Sequence, residues 1–113
     1  MLTIKNRAEG DVHVLELEGR LDGTPESASI QDTIREVLEG GCRKVLISLE
    51  GLQWINSIGV GYLVASLVSA RNAGAKIKFV GSHGRLVTLL RTTGLIPNIM
   101  QLYESEAEGL RDF

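Results

Sequence analysis

The residues best placed to do chemistry lie at positions 49–63, which read LEGLQWINSIGVGYL. Ser57 stands where a strand-like apolar run gives way to a helical pattern, which predicts its hydroxyl at the helix N-cap or in the first helical turn. Free backbone N–H groups and the helix dipole favour an anion at such a position. A phosphate on Ser57 would add about −1.5 to −2 charges there. The stretch therefore predicts a phosphorylation-sensitive surface, although serine also caps helices that carry no phosphate.

Glycine, aromatic and apolar residues surround this serine. Gly59 and Gly61 predict either close approach of another backbone or phosphate, or tight packing within the chain. Trp54 and Tyr62 flank the loop and would be natural partner anchors if exposed, whereas packing over the sheet edge is the alternative for Trp54. Ile58 indicates a surface that is covered at times if it points outward; the alternative is that it points inward.

Metal, redox and nucleotide chemistry have little support in the sequence. His13 and His83 lie far apart and outside any Cys/His cluster, so we expect no metal site. Cys42 is the only cysteine, which excludes an internal disulfide and favours a packed, inert thiol. Gly59-x-Gly61 resembles part of a dinucleotide fingerprint, but Val64 stands where the third glycine should be. Because no nucleophile, base and orienting acid share a readable spacing, we expect no catalysis and no cofactor.

The composition predicts one ordinary globular domain. The chain has 113 residues, of which 43% are hydrophobic and 23% charged, and its net charge is −2. This charge gives no broad basic surface, so nucleic-acid binding is not expected. No apolar run is long enough for membrane insertion, and the N-terminus does not resemble a signal peptide. With its single thiol, the chain is expected to be cytoplasmic.

The elements that position Ser57 follow from hydrophobic periodicity and from the glycines that interrupt it. Apolar alternation or short apolar runs predict strands at 2–6, 12–20, 44–49, 76–80 and 99–103, the third being central and parallel. Helical spacing predicts helices from Pro25 to the glycines at 40–41, over 57–72, around 86–90 and over 104–113, with a loop at 50–56. The expected fold is a single α/β domain over 1–113, with a mixed, mostly parallel sheet of four to five strands and about four helices.

Four segments of the sequence resemble the STAS family, which includes the bacterial anti-sigma-factor antagonists. The family's loop reads Asp-Ser-Ser/Thr-Gly-Leu-Gly between an apolar strand and a helix, and residues 56–61 match it as Asn-Ser-Ile-Gly-Val-Gly. Similar matches are Gly-Arg-Leu-Asp at 19–22, the strand and acidic turn at 45–52, and Thr-Gly-Leu at 93–95. The resemblance therefore covers nearly the whole chain in order.

The resemblance implies an antagonist that binds a cytoplasmic anti-sigma factor of the serine-kinase type and so frees a sigma factor. It makes Ser57 the phosphoacceptor, and a phosphatase would reset it. Asp22 would shape the site, and the contact surface would comprise Asn56, Ile58, Gly59 and Gly61. Monomer and weak dimer both remain open as assembly states.

Two positions depart from the family pattern. Asn56 replaces the usual aspartate, and Ile58 replaces the usual second hydroxyl residue. Asn56 still accepts a hydrogen bond and caps a turn, but it carries no negative charge. These departures favour an alternative function, a constitutive STAS adaptor in a signalling scaffold or on a transporter ATPase.

Overall fold

The computed structural model describes residues 2–81, 84–94 and 100–113 of the chain. It confirms the predicted order of strands and helices. The elements are β1 (Leu2–Glu9), β2 (Val12–Leu21), α1 (Pro25–Glu39), β3 (Lys44–Ile55), α2 (Ser57–Asn72), β4 (Lys76–Val80), α3 (Gly84–Thr92), β5 (Leu102–Tyr103) and α4 (Glu106–Arg111). The described residues contain no helix long and apolar enough to span a membrane.

The five strands form one mixed sheet in the order β1-β2-β3-β4-β5. A tight turn with Gly10 at φ +64° joins β1 to β2, and these two strands are antiparallel. All other neighbours are parallel, because a helix lies between them in the chain. The predicted central, parallel position of β3 is therefore confirmed.

The hydrophobic core is divided unequally between the two faces of the sheet. The larger cluster joins Leu15, Leu17, Ile47 and Phe79 of the sheet to buried residues of α1, α2 and α3, among them Ile30, Ile34, Leu63, Leu67 and Leu90. On the other face, a small cluster of Val12, Val14, Leu46 and Val80 is covered by Leu110 and Phe113. Since Val14 and Leu15 are both fully buried, β2 is covered on both faces.

The prediction of a loop at 50–56 is wrong, because β3 continues to Ile55. Its second half pairs with β2 as far as Leu21↔Ile55, and two register shifts along β2 accommodate the extension. Its pairing with β4 stops earlier, at Ser48↔Val80. A strand that has a neighbour on one side and is largely exposed shows no clear apolar pattern, which is why periodicity did not reveal it.

Several other predicted boundaries move. β1 is longer than predicted, whereas the last strand and the last helix are shorter. His83 and residues 95–99, of which only residue 99 belongs to the predicted last strand, lie outside the described part of the chain. In α2, Leu63 and Leu67 are buried, whereas Val60 and Val64 are only partly buried. Gly59, Ser66 and Ala70 complete the inward face of α2.

Candidate functional site

The site forms where β2 and β3 end side by side. Leu21 pairs with Ile55 in the last step of the parallel register. The Asn56 N–H then donates to the Leu21 carbonyl at 3.4 Å. Because parallel strands end at the same edge of the sheet, the segments that follow them share this edge: Asp22 after β2, and Asn56 with Ser57 after β3.

Asn56, and not Ser57, is the N-cap of α2. Its backbone is extended, with φ −120° and ψ −177°, and its side-chain oxygen accepts a hydrogen bond from the Gly59 N–H at 2.9 Å. Ser57 is the first helical residue and is exposed. The first turn of α2 holds no acidic residue. The helix start is therefore capped by a neutral side chain, and the Ser57 hydroxyl is not needed for capping.

Gly59 and Gly61 have opposite surroundings although they are two residues apart. A Cβ at Gly59 would lie 2.2 Å from the carbonyl oxygen of Leu21 and 2.8 Å from its carbonyl carbon, closer than non-bonded atoms can approach. Gly59 is buried, so it lies beneath the predicted contact surface and not on it. Beyond its chain neighbours and the backbone of its own helix, a Cβ at Gly61 would meet no atom of the described residues within 4 Å. Gly59 thus allows α2 to start directly against the end of β2, whereas Gly61 faces open space.

Ile58 points outward and is 53% exposed. On one side it packs against the loop between β2 and α1, where a Cβ at Gly23 would lie 3.1 Å from its Cδ1. The inward alternative for Ile58 is therefore wrong. The side chain combines a fixed position with an exposed apolar surface directly beside Ser57.

The two aromatic residues differ in exposure. Trp54 is 42% exposed on the second half of β3, and the Arg20 guanidinium lies 5.3 Å from the centroid of its ring. This cation–π contact joins neighbouring residues of β2 and β3. Tyr62 is half-buried and packs against the larger core. Trp54 therefore offers the larger open surface.

Asp22 is held in place by its own loop. Its Oδ1 accepts a hydrogen bond from the Thr24 N–H at 3.0 Å, and its Oδ2 lies 3.7 Å from Arg20 Nε. Only 16% of its side chain is exposed. The carboxylate is thus fixed before α1 starts, at the edge of the sheet that also carries Ser57.

A groove of about 1050 Å³ opens beside Ser57. It lies between the second half of β3 and α3, and its lining includes Leu52, Trp54, Ser57, Val87, Thr88 and Thr92. The groove places apolar surface and hydroxyl groups next to the start of α2. Among the described residues, no group of three or more His, Cys, Asp or Glu side chains is placed to hold a metal ion.

A second polar cluster, around Lys78 of β4, was not predicted from the sequence. Lys78 is 5% exposed, and its Nζ lies 3.2 Å from the Tyr103 hydroxyl and 3.2 Å from Asp112 Oδ2. It also donates to the Asp112 carbonyl, and the ring centroids of Tyr103 and Phe113 lie 5.3 and 5.1 Å away. Its only sequence signal was a lysine inside an apolar strand. The cluster ties the C-terminal residues to the sheet.

The sequence profile of the STAS domain matches residues 3–109. The chain belongs to the STAS domain family. Among curated protein sequences, none matches the chain.

Solved structures with similar folds include proteins described as anti-sigma factor antagonists. An anti-sigma factor antagonist from Mycobacterium paratuberculosis is 17% identical, with a TM-score of 0.86 over 99% of this chain and 93% of that chain. A Thermotoga maritima protein proposed to be an anti-sigma factor antagonist is 22% identical, with a TM-score of 0.83 over 96% and 92%. The phosphorylated form of SpoIIAA from Bacillus is 18% identical, with a TM-score of 0.72 over 97% and 98%. At these identities the likeness shows the shared STAS fold.

Proposed function

We propose that this STAS domain is an anti-sigma-factor antagonist. It binds a cytoplasmic anti-sigma factor of the serine-kinase type, and phosphorylation of Ser57 ends the binding. The observation that carries the proposal is the exposed Ser57 hydroxyl at the first residue of α2, beside the exposed apolar Ile58. Similar folds in proteins described as anti-sigma factor antagonists support it.

The start of α2 is suited to hold an added phosphate. A helix leaves four backbone N–H groups without intrahelical partners, counted from its N-cap. At α2, the Asn56 N–H goes to Leu21 and the Gly59 N–H goes to the Asn56 side chain. The N–H groups of Ser57 and Ile58 have no acceptor among the described residues, so they can bind an anion, and the helix dipole adds to their attraction. The neutral Asn56 removes one negative charge that would repel the phosphate.

The same phosphate would weaken binding of a partner. The unmodified surface presents Ile58 and Trp54, which a partner can cover without desolvating a charge. A phosphoserine adds about −1.5 to −2 charges next to this apolar patch. Covering it would then require removal of water from the phosphate, so the bound state loses affinity.

The first experiment is a pull-down from native extract with wild type, Ser57→Ala and Ser57→Glu. The matched control is Ser69→Glu, which adds the same charge to an exposed position near the other end of α2. We expect wild type, Ser57→Ala and Ser69→Glu to capture an anti-sigma factor, and Ser57→Glu to lose it. Incubation of the captured kinase with ATP should phosphorylate wild type at Ser57, as read by mass analysis of the loop peptide. Absence of phosphate on Ser57 would contradict the control of partner binding by phosphorylation.

The second candidate function is that of a constitutive STAS adaptor, whose binding is not controlled by phosphorylation. Ile58 favours it, because it replaces the usual second hydroxyl residue and is fixed against Gly23. Equal capture of one partner by wild type and Ser57→Glu would support this function. Such a result would leave the binding surface in place and remove its control by phosphate.

A further inference from the structure

The outward face of α2 exposes large apolar side chains beside two serines, Ser57 and Ser69. The helix segment SIGVGYLVASLVSA, from its first residue to Ala70, contains no charged residue. Three large hydrophobic side chains are exposed among the described residues, and two of them, Ile58 (53%) and Val68 (48%), lie on α2. Large apolar side chains that share an exposed helix face commonly mark a surface that is covered by a partner. The larger core covers only the inward side of α2.

Four residues form a stripe along this outward face. At 100° per residue, Ile58, Gly61, Ala65 and Val68 fall opposite the buried residues, represented by Leu63. The stripe has large side chains at its two ends and small ones in the middle. The spacings along it are three, four and three residues, so it has the same pattern when read in either direction.

Gly61 gives an independent indication of close approach. Among the described residues no contact requires a glycine here, because a Cβ would meet nothing within 4 Å beyond its chain neighbours and the backbone of its own helix. A glycine inside an exposed helix costs about 1 kcal/mol of stability relative to alanine. A second helix that crosses at this point would explain it, because small residues allow two helix axes to approach to about 8 Å.

We propose that the α2 stripe is a self-association surface, where two copies of this chain pack their α2 helices antiparallel about a two-fold axis. In this arrangement Ile58 of one copy faces Val68 of the other, and Gly61 faces Ala65. A two-fold interface requires a self-complementary surface, and the symmetric order of the stripe provides one. Like charges do not oppose the contact, because the stripe has none.

The dimer is weak and reversible. The stripe spans about three helical turns, or about 15 Å, and one helix is about 10 Å wide. This patch is smaller than the roughly 800 Å² per partner that stable interfaces bury. We therefore expect a dissociation constant on the order of 0.1–1 mM. If Ile58 also contacts an anti-sigma factor, which rests on the proposed function, the dimer and that complex compete.

Sedimentation equilibrium of the purified protein tests the dimer without any partner. Between about 10 μM and about 1 mM the wild type should shift from monomer towards dimer. Val68→Glu should weaken association about tenfold or more, because its charge would be buried against Ile58 of the second copy. The matched control Ala107→Glu adds the same charge to an exposed position of α4 and should leave association unchanged. NaCl at ~0.5 M should not weaken the dimer, since the contact is apolar.

Disulfide trapping tests the antiparallel register. In a Cys42→Ser background, Ile58→Cys and Val68→Cys proteins with tags of different size are mixed and oxidised. The register predicts a mixed disulfide between the two variants. It predicts no self-linked species, because identical positions would lie about 15 Å apart, well beyond the roughly 7 Å limit between Cα atoms.

Two results would overturn the proposal: a wild type that stays monomeric at the highest concentration, or self-linked products in place of the mixed one. Circular dichroism of each variant establishes that it is folded. No anti-sigma factor is present in either experiment. A protein that does not dimerise would therefore leave the proposed function standing, and a protein that binds no anti-sigma factor would leave the dimer standing.

Discussion

The Ser57 surface and the cluster around Lys78 both bring polar groups together at the sheet, yet they use them differently. Lys78 is buried and is satisfied by Tyr103 and Asp112 within the chain. Ser57 is exposed, and the cap of its helix is supplied by Asn56. The Lys78 cluster is closed, because its polar groups bind one another, and it serves folding. The Ser57 surface is open, because its hydroxyl is left available for chemistry.

The charged groups around Lys78 are likewise paired with one another within the chain. Burial lowers the pKa of Lys78, but hydrogen bonds to Tyr103 and Asp112 raise it, and the result lies above the ordinary value. The hydrogen bonds from Tyr103 and Lys78 lower the pKa of Asp112. Another acidic residue of the C-terminal segment, Glu106, pairs with Arg7. Glu106 and Asp112 are therefore paired within the chain, although both side chains keep part of their surface exposed. A polar cluster whose members bind one another has few hydrogen-bonding or charged groups left to bind a partner.

The largest expected effect comes from the packing beneath the Ser57 surface. Gly59→Ala forces a Cβ to 2.2 Å from the Leu21 carbonyl oxygen, so α2 must shift away from β2. Overpacking of this kind costs about 1–3 kcal/mol, and the backbone contact places this variant at the upper end. Urea unfolding at low protein concentration measures the loss.

Gly61→Ala is the matched control on the same helix. Its Cβ enters open space, so the substitution should stabilise the fold by about 0.5–1 kcal/mol through helix propensity. Equal effects of the two alanines on the unfolding free energy would contradict the contrast between a packed and an open glycine.

Tyr103→Phe opens the closed cluster. The variant keeps the ring but removes the hydroxyl that contacts both Lys78 and Asp112. Loss of these hydrogen bonds should lower the free energy of unfolding by about 1–2 kcal/mol. A thermal melt measures this change, and binding of a partner at the Ser57 surface should be unaffected. Unchanged stability would show that the cluster contributes little to folding.

Asn56→Ala removes the cap at the open site. The Gly59 N–H then loses its acceptor, and the expected cost is about 1 kcal/mol. Asn56→Asp keeps an acceptor and adds a negative charge at the helix start, so at neutral pH it should be as stable as wild type or more stable. Chemical denaturation distinguishes the three proteins. If Asn56→Ala unfolds like wild type, the hydrogen bond to Gly59 does not stabilise the helix.

The smallest effect is an acid dependence of the closed cluster. Because the folded-state pKa of Asp112 is lowered, its contribution to stability is complete above the unfolded pKa of about 3.9. The contribution disappears as the pH falls through the folded pKa. Asp112→Asn should therefore be less stable than wild type at pH 6, and the difference should shrink towards pH 2. A constant difference across this range would rule out the ionised pair as its source.

Much of the fold and part of the site were predictable from local signals. The apolar run before Ser57 and the helical spacing after it fixed the start of α2, and the glycines at 40–41 marked the end of α1, where Gly41 has φ +94°. The nine elements and their order follow from such patterns. These features depend on neighbours within a few residues, so sequence alone decides them.

Tertiary structure decided the features that depend on distant residues. The extension of β3 needs pairing with β2, and the burial of Lys78 needs Asp112 from the C-terminal end. Gly59 and Gly61 show this most clearly, because the two residues are chemically identical and two positions apart. Only the carbonyl of Leu21 makes the first indispensable to packing, and only the empty space outside α2 leaves the second open. The sequence determined where the helix starts, whereas contacts across the fold determined which of its residues are exposed.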